Sequence, residues 1–249
     1  AGHGHLIGAQ HSTVRYWDLR YFFDPRSYRR TGGYDLPMPN QFAFNGLAVK
    51  DAYKNGGYPA GNLVEVEALR YMYLSDVQVK TIAVQKPKNS PIRLLVLGDY
   101  LCSNTQQQMN LLAQATTLLP KDIVITVKPH PACPIQPEDY LSLTMTVTME
   151  HIGKLLAECD VAYTSAVTSA VVDAYCAGIP VISVLDPNAL NLSPLRGCAG
   201  ALFASTPEEL ATKLMLAVSP PGVPSSQIDF FTTDPQLPRW KKLLLGNIQ

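Results

Sequence analysis

From residue 93 to residue 218 the chain keeps switching between short apolar runs with a period of two and longer runs with a period near 3.6. That alternation is the pattern of βαβ units on a parallel sheet, and it rules out an all-α or all-β reading of this half. A buried-type strand at 93–97 ends in Gly98-Asp99-Tyr100. An amphipathic helix at 105–119 follows, with glutamines on its polar face. The next strand, 123–127, ends in Lys128-Pro129-His130-Pro131. A proline-rich loop at 132–137, a strand at 141–148 and a helix at 150–158 lead to a strand at 160–163. This strand breaks into Thr164-Ser165-Ala166-Val167-Thr168-Ser169. A helix of small residues at 170–177, strands at 181–185 and 201–204, and a helix from Thr206-Pro207 to about 218 complete the series, with Ser or Thr as cap and Pro in the first turn. Open α/β sheets bind ligands outside the carboxyl ends of their strands. Two such ends are rich in anion-binding side chains: Lys128 and His130 on one, Ser165, Thr168 and Ser169 on the other. A helix opening on Thr/Ser also offers backbone N–H groups to a phosphate. The expected ligand therefore carries a phosphate.

Composition narrows the function class. The formal net charge is zero, which lacks the basic field of a nucleic-acid binder. No apolar run reaches the roughly 18–20 residues of a membrane span. The start, Ala1-Gly2-His3-Gly4-His5, is not a charged segment before an apolar block, so no signal peptide is expected, and the absence of an initiator Met suggests a fragment or a processed chain. The five cysteines are widely spaced, without a Cys-x-x-Cys pair, and odd in number. Reduced thiols in a cytoplasmic protein are the expectation, rather than a disulfide frame or a zinc site.

The first 78 residues read differently. A short strand at 6–9 runs into Gln10-His11-Ser12-Thr13. His11 is a general base, a phosphate or acceptor contact, or a structural histidine. Residues 15–36 are dense in Arg and aromatic residues, either an acceptor surface or an irregular loop pinned by Arg–Asp pairs. A strand at 41–47, a helix at 48–55 and a mixed element at 63–74 follow. Glu65 and Glu67 are expected on different faces, which argues against a paired-carboxylate site. Residues 79–92 are lysine- and proline-rich and read as a linker between this region and a domain at 93–218. A tail at 219–249 is expected to brace the two lobes.

Lys128-Pro129-His130-Pro131, then Cys159-Asp160-Val161-Ala162-Tyr163-Thr164-Ser165 and Asp173-Ala174-Tyr175-Cys176-Ala177-Gly178-Ile179-Pro180, resemble the donor half of GT-B glycosyltransferases. The His-Pro pair with a Ser/Thr-rich strand end is most similar to bacterial sialyl-, polysialyl- and Kdo-transferases. The CDP-glycerol glycerophosphotransferases of teichoic acid synthesis share a similar layout. Residues 10–21 and Glu67-Ala68-Leu69-Arg70-Tyr71 resemble surface-carbohydrate (O-antigen or capsule) biosynthesis proteins. The resemblance implies a GT-B-like α/β fold: a Rossmann-like parallel sheet with flanking helices, plus a partial N-terminal α/β lobe. It implies transfer of a sugar from a CMP-, UDP- or GDP-linked donor to a glycan or lipid-linked acceptor, at the inner face of the membrane. Neither a metal nor a cofactor is implied. His130 would contact the donor phosphate, with Lys128 beside it and Pro131 fixing the loop. Thr164, Ser165, Thr168 and Ser169 would bind the same phosphate, and Asp173 the ribose. Donors aimed at the departing nucleotide would stabilise its charge.

The chain departs from the family at its start. Only about 80 residues precede the linker, and the acidic-acidic-Gly motif that supplies the base in related sialyltransferases is absent. His11 and Asp18 are the N-terminal base candidates. Two other readings stay open: a nucleotide-sugar 2-epimerase-like enzyme, and a non-catalytic nucleotide-sugar-binding module.

Overall fold

The computed structural model describes residues 4–24, 26, 38–77, 90–219 and 230–246. The linker at 79–89, the Gly32-Gly33 turn, Arg29, Arg30 and the Pro220-Pro221-Gly222 stop lie outside the described residues. The chain divides into two units, Ala1–Met72 with Ile228–Gln249, and Tyr73–Gln227.

In the first unit, β1 (Ile7–Ala9), β2 (Gln41–Phe44) and β3 (Leu63–Glu65) form a parallel sheet in the order β1-β2-β3. Helix α1 (Leu47–Asn55) connects β2 to β3. Strand β2 stops earlier than its apolar pattern suggests, because Asn45-Gly46 turns the chain beneath Phe230. A Cβ on Gly46 would lie 1.8 Å from the Phe230 carbonyl oxygen, so only glycine fits there. The core is aromatic: Tyr21, Phe44, Val49, Tyr53 and Tyr58 are buried together. Tyr21 and Tyr58 both meet Tyr53 edge to face, at 4.8 and 5.0 Å between ring centroids.

The second unit is built on six parallel strands: β4 (Ile92–Leu97), β5 (Ile123–Lys128), β6 (Met145–Val147), β7 (Val161–Ser165), β8 (Val181–Val184) and β9 (Ala201–Ala204). Their spatial order is β6-β5-β4-β7-β8-β9. Helices α2 (Cys102–Ala115), α3 (Ile152–Glu158), α4 (Ala170–Cys176) and α5 (Pro207–Val218) flank them. Side chains alternate along a strand. Leu94, Val96, Ile125, Val127, Val161, Tyr163 and Ile182 therefore share one face, where Met109, Leu112, Leu210 and Leu214 of α2 and α5 complete the core. The alternate positions Leu95, Leu97, Ala162 and Val181 are buried as well. Both faces of the sheet are thus covered, as parallel sheets require.

Two helix boundaries show local chemistry. Thr206 caps α5 by accepting from the Glu209 N–H at 3.2 Å, while Glu209 reaches back to the Ser205 N–H at 2.8 Å. Helix α2 ends earlier than its pattern because the Thr116 hydroxyl bonds back to the Ala113 carbonyl at 2.8 Å and a 3-10 turn takes over. Strand β6 is shorter than expected. Residues Pro137–Tyr140 form a 3-10 turn, closed onward by Leu143 N–H to the Tyr140 carbonyl at 2.9 Å, so pairing with β5 begins only at Met145.

Helix α6 (Pro238–Leu245) belongs to the first unit. Its first turn is held by Glu67, whose carboxylate accepts from the Arg239 and Trp240 N–H groups at 3.0 and 3.1 Å. The Trp240 indole donates to the Glu67 carbonyl at 2.8 Å. Glu65 accepts from the Thr232 hydroxyl at 2.7 Å. The Arg239 guanidinium lies 3.6 Å from Glu65 and 3.5 Å from Glu67. The expectation that these acids face apart is corrected: neither lies on a helix, and both carboxylates turn to the returning tail, where they flank Arg239.

Candidate functional site

The sheet order of the second unit reverses at β4. The chain runs from β4 outward through β5 and β6, then restarts on the other side of β4 with β7, β8 and β9. The carboxyl ends of β4 and β7 are therefore the topological switch point, the place where open α/β sheets hold ligands in a crevice. Leu97 pairs with Thr164 across it, and with Lys128 of β5 on the other side.

The β4 end contributes a residue that sequence reasoning passed over. Asp99 is fully buried, and its carboxylate accepts from the Leu101 N–H at 3.0 Å, the Asn104 amide at 3.3 Å and the Ser165 hydroxyl of β7. The Asp99 N–H donates to Thr105 at 2.9 Å. Asp99 thus ties the start of α2 to the end of β7 across the switch. Its sequence signal, Gly-Asp closing an apolar strand, was visible. That β4 and β7 are neighbours was not.

His130 sits on an exposed turn after β5. Its Nδ1 accepts from the Ala132 N–H at 3.1 Å, and its carbonyl accepts from the Cys133 N–H at 2.9 Å. With Nδ1 an acceptor, the proton of the neutral ring resides on Nε2, which is the ring's donor. Gly98 lets this turn close on β4: a Cβ there would stand 3.1 Å from the His130 nitrogen and 3.2 Å from the Pro129 Cα. The Tyr100 ring meets the imidazole at 6.3 Å, nearly edge-on. Lys128 reaches sideways, its ammonium donating to the Glu150 and Met149 carbonyls at 2.8 and 3.4 Å.

The Ser/Thr cluster divides. Thr164 is buried against Ser183, 3.2 Å between hydroxyl oxygens. The single Ser165 proton goes to Asp99. Thr168 and Ser169 lie on the loop entering α4, and the Ser169 side chain makes no capping bond. Asp173 is buried on α4.

The two base candidates lie in the first unit, the other eight predicted residues in the second. His11 is exposed just after β1. Asp18 accepts from the Arg20 N–H at 3.2 Å and from both ends of its guanidinium fork at 2.8 and 2.6 Å. Burial works to raise the Asp18 pKa, but the Arg20 hydrogen bonds outweigh it and hold the carboxyl below its usual range. A carboxylate so paired is a weak base. Among the described residues there is no cluster of three or more His, Cys, Asp and Glu able to hold a metal ion, and no helix is long and apolar enough to cross a membrane.

Cys102 and Cys133 correct the expectation of isolated thiols. Their Cα atoms are 5.4 Å apart and their sulfurs are joined, because β4 and β5 are adjacent and both loops leave the same edge of the sheet. Cys159, Cys176 and Cys198 form no disulfide among the described residues.

No family model matches the chain, and no curated protein sequence matches it. Solved structures do. The UDP-GlcNAc 2-epimerase of Methanocaldococcus jannaschii, in complex with UDP-GlcNAc and UDP, aligns with a TM-score of 0.53 at 9% identity, over 75% of this chain and 57% of that one. The wall teichoic acid polymerase TagF aligns at 0.49 and 12% identity, over 84% and 57%. MurG of Acinetobacter baumannii aligns at 0.44 and 17% identity, over 71% and 65%. The chain has the α/β architecture of GT-B proteins, with parallel sheets and flanking helices. It spans between 57% and 65% of the length of these three structures.

Proposed function

We propose that this chain is a GT-B glycosyltransferase, or its donor-binding portion, that moves a sugar from a nucleotide-sugar to a bacterial surface polysaccharide or lipid-linked glycan of the O-antigen or capsule kind. The observation that carries the reading is the reversal of strand order at β4, which sets the His130 turn and the Asp99–Ser165 link at the mouth of one crevice. In this reading the His130 Nε2–H and the loop bearing Thr168 and Ser169 face the donor phosphate. Asp173 takes the ribose, and Lys128 with Pro131 fixes the His130 turn. Thr164 and Ser165, satisfied by Ser183 and Asp99, shape the crevice wall. Hydrogen-bond donors held in place before the reaction stabilise the departing nucleotide without rearranging. The protein works in the cytoplasm, at the inner membrane face where a lipid-linked acceptor is presented.

The test is calorimetric titration with CMP, CDP, UDP and GDP, repeated on His130→Ala. One nucleotide binds, and the variant loses about 1.5–3 kcal/mol, the size of a hydrogen bond to a charged group. Failure of all four to bind overturns the proposal. The likeness to the 2-epimerase favours a second reading, epimerisation of a UDP-sugar. Epimer formation from UDP-GlcNAc without an acceptor would select it. Binding without turnover would leave a nucleotide-sugar-binding module.

A further inference from the structure

The His130 turn is joined to the start of α2 by a covalent bond. Cys133 closes the turn from within, its N–H donating to the His130 carbonyl at 2.9 Å. Cys102 is the first residue of α2, three positions beyond Asp99. Their bond spans 31 residues of sequence. It connects the two loops that frame the crevice: the one that Asp99 organises and the one that presents His130. Cys102 is exposed, so small thiols and disulfides reach it, whereas Cys133 is buried.

We propose that Cys102 and Cys133 form a reversible dithiol–disulfide latch that sets the order of the His130 turn, and through it the nucleotide affinity of the site. The second clause rests on the donor-site reading above. The co-reactant is a low-molecular-weight disulfide such as oxidised glutathione. The Cys102 thiolate attacks one of its sulfurs and expels one glutathione thiolate. The Cys133 thiolate then attacks Cys102 in the mixed disulfide and expels the second. Two protein thiols are oxidised, one disulfide is reduced to two thiols, and the two protons end on glutathione. Excess reduced thiol reverses both steps.

Opening the bond removes the covalent tie and leaves non-covalent contacts: Cys133 N–H to the His130 carbonyl, Ala132 N–H to Nδ1, and the Cys102 thiol to the Ala132 carbonyl at 3.9 Å. The open turn samples more conformers, and a ligand must then supply the ordering itself. The latched form is therefore the tighter binder.

The experiment uses the full chain, equilibrated either with oxidised glutathione or with excess dithiothreitol. Free thiols are trapped with a mass-tagged maleimide, hydrogen exchange is followed over residues 129–135, and UDP, CDP, CMP and GDP are titrated in both states. One Cys102–Cys133 bond is expected on oxidation, with Cys159, Cys176 and Cys198 still tagged. Exchange at 129–135 should slow, and nucleotide affinity should rise about fivefold or more, the lower end of an allosteric coupling. Cys102→Ser, a conservative change at an exposed site, should erase both differences. The latch is overturned if no Cys102–Cys133 bond forms, or if it forms while exchange over 129–135 is the same in both states. Affinity that stays within twofold overturns its control of binding. If exchange slows as expected but no nucleotide binds in either state, the latch stands and the donor-site reading falls.

Discussion

Replacing Asp99 with alanine removes one carboxylate and strands three donors. Ser165, itself buried, loses the acceptor of its only proton, and Leu101 N–H and the Asn104 amide lose bonds of 3.0 and 3.3 Å. A hydrogen bond to a charged group contributes about 1.5–3 kcal/mol, and a buried donor left unpaired adds its own desolvation penalty. These contributions share one acceptor and do not add, so Asp99→Ala should destabilise the second unit by about 3–5 kcal/mol. Ser165→Ala removes only one donor and should cost about 1.5–3 kcal/mol. The double variant should fall short of the sum by about 1–2 kcal/mol, because the Asp99–Ser165 bond is counted in both singles. Urea unfolding followed by far-UV circular dichroism measures all four proteins, with an unchanged m-value showing that the transition itself is the same. A loss below about 1 kcal/mol for Asp99→Ala, or additivity within about 0.5 kcal/mol, would refute the claim that this bond joins β4 to β7.

Glu67→Ala should loosen the tail from the first unit. Arg239 is two-fifths exposed and its ion pair contributes little, so the expected loss of about 2–4 kcal/mol comes from the Arg239 and Trp240 N–H groups left without an acceptor. Trp240 fluorescence should redden, and an unchanged emission with unchanged urea midpoint would count against the contact. Gly98→Ala forces a Cβ against two backbone atoms of the His130 turn. It should cost about 1–3 kcal/mol and speed hydrogen exchange over residues 129–135; full native protection there would show the close approach to be wrong. The aromatic core of the first unit predicts alkaline sensitivity. Burial pushes the Tyr21 phenol up to about 12. A group whose folded pKa is raised stabilises fully below its unfolded value near 10, and that contribution is lost as pH climbs from about 10 through 12. The Tyr21 share of the loss is at most about 3 kcal/mol, and Tyr21→Phe should remove that share while Tyr53 and Tyr58, also pushed up by burial, keep theirs; an identical pH profile in that variant would discard the assignment.

Much of the second unit is legible in the amino-acid sequence alone. Continuous apolar runs such as Leu94–Leu97 announce strands covered on both faces, and Thr206-Pro207-Glu208-Glu209 announces a helix start, because burial period and capping are local properties of the chain. The same logic finds the polar strand ends at His130 and Ser165. Local pattern misjudges extents where a distant segment intrudes, as when Phe230 forces the turn at Gly46.

Local pattern thus assigns most residues to strands, helices and buried faces, though not the ends of those elements. Which of these elements become neighbours depends on the fold as a whole. Asp99 and Ser165 are 66 residues apart, Cys102 and Cys133 31, Glu67 and Trp240 173. Periodicity records a residue's face but carries no label for the strand beside it. The lateral order, with β4 between β5 and β7, follows from helix packing and crossover handedness across the whole unit. That order turns two ordinary strand ends into one crevice.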